Sequence, residues 1–391
     1  MKIAGIIAEY NPFHTGHAYH IQKTCEKCGA DHIICVMSGN FTQRGEPAVW
    51  DKWTRARSAL LGGVSLVLEL PFAYATQSAE GFAEGGISIL DALNCVEYLS
   101  FGAENTDLDF MKRAAQLLCA ESPEFRNILR QNLGRGLSFP SARAHALSHL
   151  LPEADAVVWR QPNNILAIEY LKAMHRQKSK LQPIPVERIG SGYSENALAP
   201  SYSSARAIRG AIKDGNDIYK NYLPDNASCS RSTPVFPESM FPFLMFQLRR
   251  MTVQEIGTIY GVCEGLEHRI FSAAKKAQNY NDLVFRIASK RYPHSRIQRI
   301  LLHSLFGITK EQMRKLKLLP LYARVLGIRQ DSIDLLSYLS AHAKIPIVTR
   351  AAEFPDSLLF DADLLATDIY SLFTKKIAPS KRDFTQKLIV I

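Results

Sequence analysis

Along the first 215 residues the apolar positions alternate between two periods. Lys2–Ala8, His32–Met37, Leu66–Leu70 and Tyr98–Phe101 are short, nearly continuous apolar runs, as strands buried on both faces require. Between them, Gly16–Lys27, Lys52–Leu61 and Ala79–Leu93 repeat their apolar residues at three- and four-residue spacing, as helices with one face on a core do. Gln182–Arg188 reads as a later strand and Ser203–Asp214 as a helix after it. Strands alternating with helices of this length predict an α/β fold with a parallel sheet covered on both faces.

The pattern changes at Leu223–Pro242, LPDNASCSRSTPVFPESMFP, where four prolines and several Ser and Asn residues suit an inter-domain linker. Beyond it Phe243–Met251, Gly265–Ala277, Tyr280–Lys290, Ser295–Phe306 and Thr309–Lys317 are helical in period. Ala323–Gly327 and Pro346–Val348 look strand-like. The expected organisation is an α/β domain over 1–220, a linker over 221–242, and a mainly helical domain over 243–391. A chain of 391 residues is long enough for this.

Composition narrows the class. At 47% hydrophobic and 21% charged the chain is neither disordered nor fibrous. No run approaches 18 uninterrupted apolar residues, so no membrane association is expected. The start, MKIAGIIAEYNPFHTGH, reads as a first strand rather than a signal peptide. Seven cysteines then suggest free thiols in a reducing cytoplasm. Charge is uneven. Residues from Asn221 to Ile391 hold 24 basic and 15 acidic side chains, nearly all of the net +10. It is densest from Arg286 to Lys317, where nine basic residues, Arg291, Arg296 and Arg299 among them, face only Glu311. Such asymmetry points to a polyanionic partner for that half. A solvated helix face is the plainer alternative.

The strongest chemical signal lies at the start. Strand Lys2–Ala8 runs into Glu9-Tyr10-Asn11-Pro12-Phe13-His14-Thr15-Gly16-His17 and then a helix opening with Ala18-Tyr19-His20. A strand, a tight turn and a helix N-terminus bring backbone N–H groups and the positive dipole end to one point, which suits phosphate. His14 and His17 add donors beside it, and Gly16 permits close approach. The chemistry this favours is adenylyl transfer, in which pyrophosphate leaves with its charge held by donors already in place. Other signals carry less. Cys25, Cys28, His32 and Cys35 lack the spacing of a zinc site, and no metal site is expected. Gly81, Gly85 and Gly86 sit in a helical pattern and suit close packing. No G-x-x-x-x-G-K-[ST] motif occurs, and the K-M-S-K-S string of class I synthetases is missing.

The segment Gly5–His17 resembles the H-x-G-H nucleotidyltransferase superfamily. A closer likeness, to the bacterial tRNA(Met) cytidine acetate ligase family, rests on five further segments. These are Val36–Ala48 (VMSGNFTQRGEPA), Ser100–Glu104 (SFGAE), Gln161–Leu166 (QPNNIL), Arg188–Tyr193 (RIGSGY) and the basic stretch Ser295–His303. The resemblance implies a Rossmann-like H-x-G-H domain followed by a basic, mainly helical tRNA-binding domain. It also implies a two-step reaction. ATP, as substrate with Mg2+, and acetate would form acetyl-adenylate. The wobble cytidine of elongator tRNA(Met) would then be acetylated at N4, releasing AMP. DNA is not an expected partner.

Carried over by motif, the ATP contacts fall on Ile7, Ala8, Glu9, Tyr10, Asn11, Pro12, Phe13, His14, Thr15, Gly16, His17, Ala18, Tyr19 and His20, and on Gly102, Asn163 and Arg188. His14 and His17 are the expected catalytic pair. Gly102 ends a strand at the carboxyl edge where open sheets hold ligands. Asn163 suits either a helix cap or a ligand contact, and Arg188 either phosphate or a surface ion pair. Ser203 and Ser204 open a helix and suit a pyrophosphate cradle; the role of Arg206 stays open. Asn40, Gln43 and Arg44 follow the second strand and are expected over the site as a substrate loop. Arg291, Arg296 and Arg299 are expected on tRNA phosphates. A small-molecule nucleotidyltransferase of coenzyme A or NAD type is the alternative, but it would leave the basic helical half unexplained. A binding module with a dead nucleotide site would lack His14 or His17, and both are present.

Overall fold

Residues 3–8, IAGIIA, are apolar and almost wholly buried, so they cannot lie at a solvent edge; they form a central strand. The structure, a computed structural model, describes residues 1–152, 158–189, 202–224, 229, 232–263, 265–354 and 357–391. Its strands are β1 (Ile3–Ala8), β2 (His32–Ser38), β3 (Leu66–Leu70), β4 (Tyr98–Ala103), β5 (Gln182–Glu187), β6 (Ala323–Ile328), β7 (Ile347–Val348) and β8 (Ile389–Val390). They make one sheet in the order β5-β4-β1-β2-β3-β6-β7, with β8 also on β6. β1 to β5 run parallel, each neighbour to neighbour, as the alternating pattern predicts.

Helices α1 (Thr15–Cys28) and α2 (Lys52–Leu61) cover one face, packing Trp53 and Leu60 with Ile6, Met37 and Val67. The other face meets α3 (Ala79–Ala92) and α4 (Pro162–Gln177), where Phe82, Leu90 and Ile168 join Ile3, Ile7 and Val36. Gly86 makes the close approach possible. A Cβ there would stand 2.6 Å from Ile7 Cδ1, so any side chain would push α3 off the sheet. Three helices not anticipated from periodicity, Leu108–Cys119, Pro123–Gly134 and Phe139–Leu150, precede α4. Their signals were caps rather than stripes: Asp107, Ser122 and Ser138 each accept a backbone N–H of the first turn. Pro123–Gly134 buries only Phe125. After β5 come α5 (Ala205–Lys213), a helical stretch from Phe241 to Leu318 that includes α6 (His294–Phe306), and α7 (Leu358–Ser371).

The division expected at 221–242 needs correction. β6 pairs antiparallel with β3, Leu66 opposite Ile328, and one continuous core runs from Ile3 to Phe373. Without β6, the carboxyl half of the sheet would end on the buried, apolar β3 edge. Residues 323–391 therefore complete the sheet, and the purely helical part is 241–318. The expected linker is partly attached to the body, with Val235 N–H donating to Val49 O at 2.8 Å. Its residues 225–228, 230 and 231 lie outside the described residues.

A charged cluster seals this closure. Lys52 of α2 is fully buried, with Nζ 2.8 Å from Glu69 Oε2 on β3 and 2.8 Å from Asp383 Oδ1 near the C-terminus. Arg324 of β6 completes it, 2.7 Å from Asp383. Removing one partner strands the others without water. Lys52→Met is therefore expected to cost about 3–5 kcal/mol, read as a lower urea midpoint with an unchanged slope. A midpoint equal to the wild type's would show that the cluster does not hold the closure.

Candidate active site

The turn between β1 and α1 is built by reciprocal capping. His14 is the N-cap of α1, and its Nδ1 accepts from Gly16 N–H at 3.1 Å. In return His17 Nδ1 accepts from His14 N–H at 3.2 Å. Both rings thus spend Nδ1 as an acceptor, so each neutral imidazole carries its proton on Nε2. The rings stack at 3.8 Å between centroids. Gly16 is needed because a Cβ would lie 3.0 Å from His14 Cε1, under the capping ring. Tyr10 enters the turn at φ 45°, and the Asn11–Pro12 bond is cis.

All three histidines here stay uncharged at neutral pH. Burial, then Arg188 and Arg209, lower His14 to about 3. Burial, then His14 and Arg188, hold His17 well below the usual imidazole range. Burial, then Arg188, lower His20 to about 4, and its Nε2 lies 2.9 Å from Ser100 Oγ. Two neutral N–H donors at the N-terminus of a 14-residue helix, with guanidinium groups nearby, make a site for anions.

That turn forms one wall of a cavity of about 350 Å³ at the carboxyl ends of the strands. Of the expected N-terminal residues, Ile7, Ala8, Glu9, Tyr10, Asn11, His14, Gly16, His17, Tyr19 and His20 line it. Pro12, Phe13, Thr15 and Ala18 do not; Phe13 is buried below with Tyr10, Trp53 and Leu60. Gly102 on β4, Asn163 on α4 and Arg188 after β5 also line the cavity. Glu104 joins the two segments, accepting from Asn163 Nδ2 at 2.5 Å and from Asn164 N–H at 2.9 Å. Asn163 Oδ1 in turn accepts from Arg188 Nη1 at 3.3 Å. Asn163 is not the helix cap, which is Gln161; it orients Arg188 at the rim. Gly190–Tyr193 of that motif lie outside the described residues.

Ser203 lines the cavity, but Ser204 does not. Ser204 is the N-cap of α5, its Oγ accepting from Ala207 N–H at 3.1 Å. The sequence leaves the role of Arg206 open, and Arg209 closes the helix start Ser203–Arg209; both line the cavity, and Arg209 Nη1 grips Asn11 O at 2.6 Å. The signal was present, because Arg206 and Arg209 are three apart on one helix face. Ala79, Phe82, Leu166 and Tyr170 supply an apolar part of the wall that the strand pattern could not show.

The expected substrate loop divides. Gln43 and Arg44 line the cavity, with Gln43 N–H donating to Glu9 Oε1 at 2.6 Å. Asn40 is 2% exposed and faces away. Its Oδ1 accepts from Lys52 N–H at 2.8 Å and its Nδ2 donates to Thr367, so it fastens α2 and α7. The basic helix face also differs from expectation. Arg296 donates to Gly261 O at 3.3 Å and lies over the Tyr292 ring, while Arg299 donates to Gln43 O at 3.2 Å. Both are half-buried against protein, Arg299 on the loop after β2 and Arg296 on Gly261, Cys263 and Tyr292. Arg291 is exposed, as are Lys290 and Arg314. Among the described residues no three His, Cys, Asp or Glu side chains come together as a metal site would require, and no helix is long and apolar enough to cross a membrane.

The chain is similar to proteins of known class. The HIGH Nucleotidyl Transferase family matches residues 1–385. The tRNA(Met) cytidine acetate ligase of Caldanaerobacter subterraneus subsp. tengcongensis is 39% identical over 402 residues, covering 100% of each chain. The crystal structure of Thermotoga maritima TmcAL, apo form I, superposes with a TM-score of 0.93 at 34% identity over 100% of both chains. The same protein bound with alpha-thio ATP gives 0.91 at 35%, again over 100% of both.

The buried histidines make stability depend on pH. An unfolded imidazole takes a proton below about 6.5, whereas native His14 refuses one until about 3. The unfolded state therefore binds more protons in this window, so stability is lost as pH falls from 6.5 towards 3. Asn in place of His14 still caps the helix but does not titrate. His14→Asn should remove up to about 2 kcal/mol of the stability difference between pH 7 and pH 5, measured by urea unfolding at each pH. An identical pH slope in the variant would contradict the buried neutral ring.

Proposed function

The chain belongs to the HIGH Nucleotidyl Transferase family, and on that premise we propose that it is an ATP-dependent tRNA(Met) cytidine acetate ligase. The observation that carries this reading is the pair of neutral Nε2–H donors, His14 and His17, at the mouth of α1, facing a cleft rimmed by Arg188, Arg206 and Arg209. In the first step an acetate oxygen attacks the α-phosphorus of ATP and the bond to the pyrophosphate oxygen breaks. Charge grows on the bridging and β-phosphate oxygens, where fixed donors stabilise the transition state more than the ground state. In the second step the N4 amine of the wobble cytidine attacks the acetyl carbonyl, AMP leaves, and the amine loses a proton.

The triphosphate lies along the α1 turn, with Ser203 and the α5 arginines towards the leaving pyrophosphate. Mg2+ would come with ATP, held by its phosphates rather than by a protein carboxylate cluster, and would offset part of their charge. The apolar wall of Ala79, Phe82 and Leu166 suits a methyl group better than a charged tail. Exposed Lys290, Arg291 and Arg314 meet the tRNA backbone, while Arg296 and Arg299 shape the surface from beneath. The work is done in the cytoplasm, where seven free thiols are stable. A coenzyme A- or NAD-type adenylyltransferase would give the helical segment 241–318 no task.

Nucleoside analysis of methionine tRNA incubated with the protein, ATP and acetate tests the reading; N4-acetylcytidine at the wobble position is the expected product, and its absence would falsify the assignment. His14→Ala and His17→Ala should each slow acetate-dependent pyrophosphate release by about 10²–10³. A near wild-type rate in both would remove the histidines from the chemistry. Arg291→Glu should weaken tRNA binding and flatten its salt dependence by about one unit of slope, with pyrophosphate release in the absence of tRNA unchanged.

A further inference from the structure

The loop leaving β2 folds into a small hairpin. Phe41 bridges Pro47, Thr42 N–H donates to Glu46 O at 2.9 Å, and Gly45 N–H returns to Thr42 O at 2.9 Å. Its tip is pinned from two sides. Gln43 N–H is held by the Glu9 carboxylate at 2.6 Å, at the end of the strand that leads into the histidine turn. Gln43 C=O is held by the Arg299 guanidinium at 3.2 Å, from α6. The contact is intimate. A Cβ on Gly45, whose φ is 77°, would stand 2.4 Å from Arg299 N and 2.6 Å from Arg299 Cα. Gln298 Nε2 adds a third tie, to Glu46 Oε1 at 2.5 Å.

Fixing a residue's N–H and C=O from opposite sides fixes its φ and ψ, and with them the direction of its side chain. Here that residue is Gln43, which lines the cavity beside Arg44. Arg299 belongs to the densest basic stretch of the chain, but its head group is turned inward onto this peptide. Charge density alone gives no sign of this contact.

We propose that Arg299 is a positioning residue for carboxylate activation, acting through the Gln43 backbone to hold the 42–46 hairpin over the nucleotide site. Helix α6 is then a brace for the first half-reaction as well as part of the surface facing tRNA. This rests on the ligase reading for its kinetic consequence, but the latch itself can be measured without any activity.

The test compares wild type, Arg299→Ala, Arg299→Lys and Gly45→Ala. Amide hydrogen exchange over residues 41–48 reads the latch directly. Arg299→Ala and Gly45→Ala should each deprotect this segment by about tenfold or more, with the β1–β3 core unchanged; equal protection in all four proteins overturns the proposal. Acetate-dependent exchange of pyrophosphate into ATP, without tRNA, reads the consequence. kcat should fall by about ten- to a hundredfold in Arg299→Ala, as small misplacements cost, with KM for ATP within about twofold. Arg299→Lys, which can still donate to one carbonyl, should recover much of the loss. Gly45→Ala keeps every charge, so it should lower kcat while leaving the salt dependence of tRNA binding as in wild type. Unchanged pyrophosphate exchange in Arg299→Ala, with a salt slope for tRNA reduced by about one unit, would make Arg299 a phosphate contact and overturn the proposal. Wild-type protein lacking acetate-dependent exchange would count against the ligase reading instead, leaving the latch to be judged by the amide measurement.

Discussion

One buried cation ties the two loops that make the site. Arg55, on α2, is fully buried, and its guanidinium donates to the carbonyls of Glu9, Ser38, Gly39 and Trp50. Glu9 is where β1 opens into the histidine turn, and Ser38 and Gly39 are where β2 opens into the hairpin. Carbonyls at the ends of parallel strands have no partner in the ladder, and leaving them dry would cost free energy at each one. A single planar fork with five donors meets three of them at once and Trp50 O besides, which an ammonium group could not do with the same geometry. Burial lowers the Arg55 pKa, offset in part by its electrostatic interaction with Tyr370, Asp51, Glu9 and Glu69, and the guanidinium donates to backbone carbonyls.

The same helix faces a second demand one turn earlier. Lys52 and Arg55 are three residues apart, both point into the protein, and Lys52 reaches the Glu69–Asp383–Arg324 cluster. α2 therefore links the strand ends that shape the site to the C-terminal strands that close the sheet. Asp363 on α7 sits at the edge of this cluster, accepting from Phe72 N–H and bonding Tyr322 OH. Burial and the Glu69 charge push its carboxyl well up, towards the protonated form. Such networks are costly to assemble and more costly to leave half-made, which explains why the C-terminal segment cannot separate as an independent domain.

Much of the fold and half of the site were legible in the sequence, for identifiable reasons. Buried parallel strands are continuous apolar runs, so β1 to β5 could be placed within a residue or two. The histidine turn could be placed because a strand, a short polar loop and a helix start are all local features. What escaped was non-local. Nothing near Asn40 announces that its amide will face Lys52 and Thr367, and nothing near Arg299 announces Gln43. One readable sign was undervalued: Glu69 sits in LVLEL, a strand with every residue buried, and a carboxylate there demands a buried cation from elsewhere in the chain. Lys52 and Arg324 meet that demand, and the presence of Arg324 in a second apolar strand pointed to β6 as the neighbour of β3.

The electrostatic design of the site follows from the same accounting. A triphosphate brings several negative charges, and a cleft filled with fixed cations would bind substrate and leaving pyrophosphate equally well, which raises affinity without raising the rate. This cleft separates the two tasks. The cations Arg188, Arg206 and Arg209 stand on the β5 and α5 side, whereas the groups at the α1 turn are neutral N–H donors held by mutual capping. In the proposed reaction, neutral imidazoles form no ion pairs with the ground-state phosphates, while their dipoles gain as charge moves onto the leaving oxygens. Burial enforces that neutrality, and burial depends on the turn staying closed. The closure comes from Arg55 on Glu9 O and Arg209 on Asn11 O, two arginines that hold the turn through its backbone carbonyls.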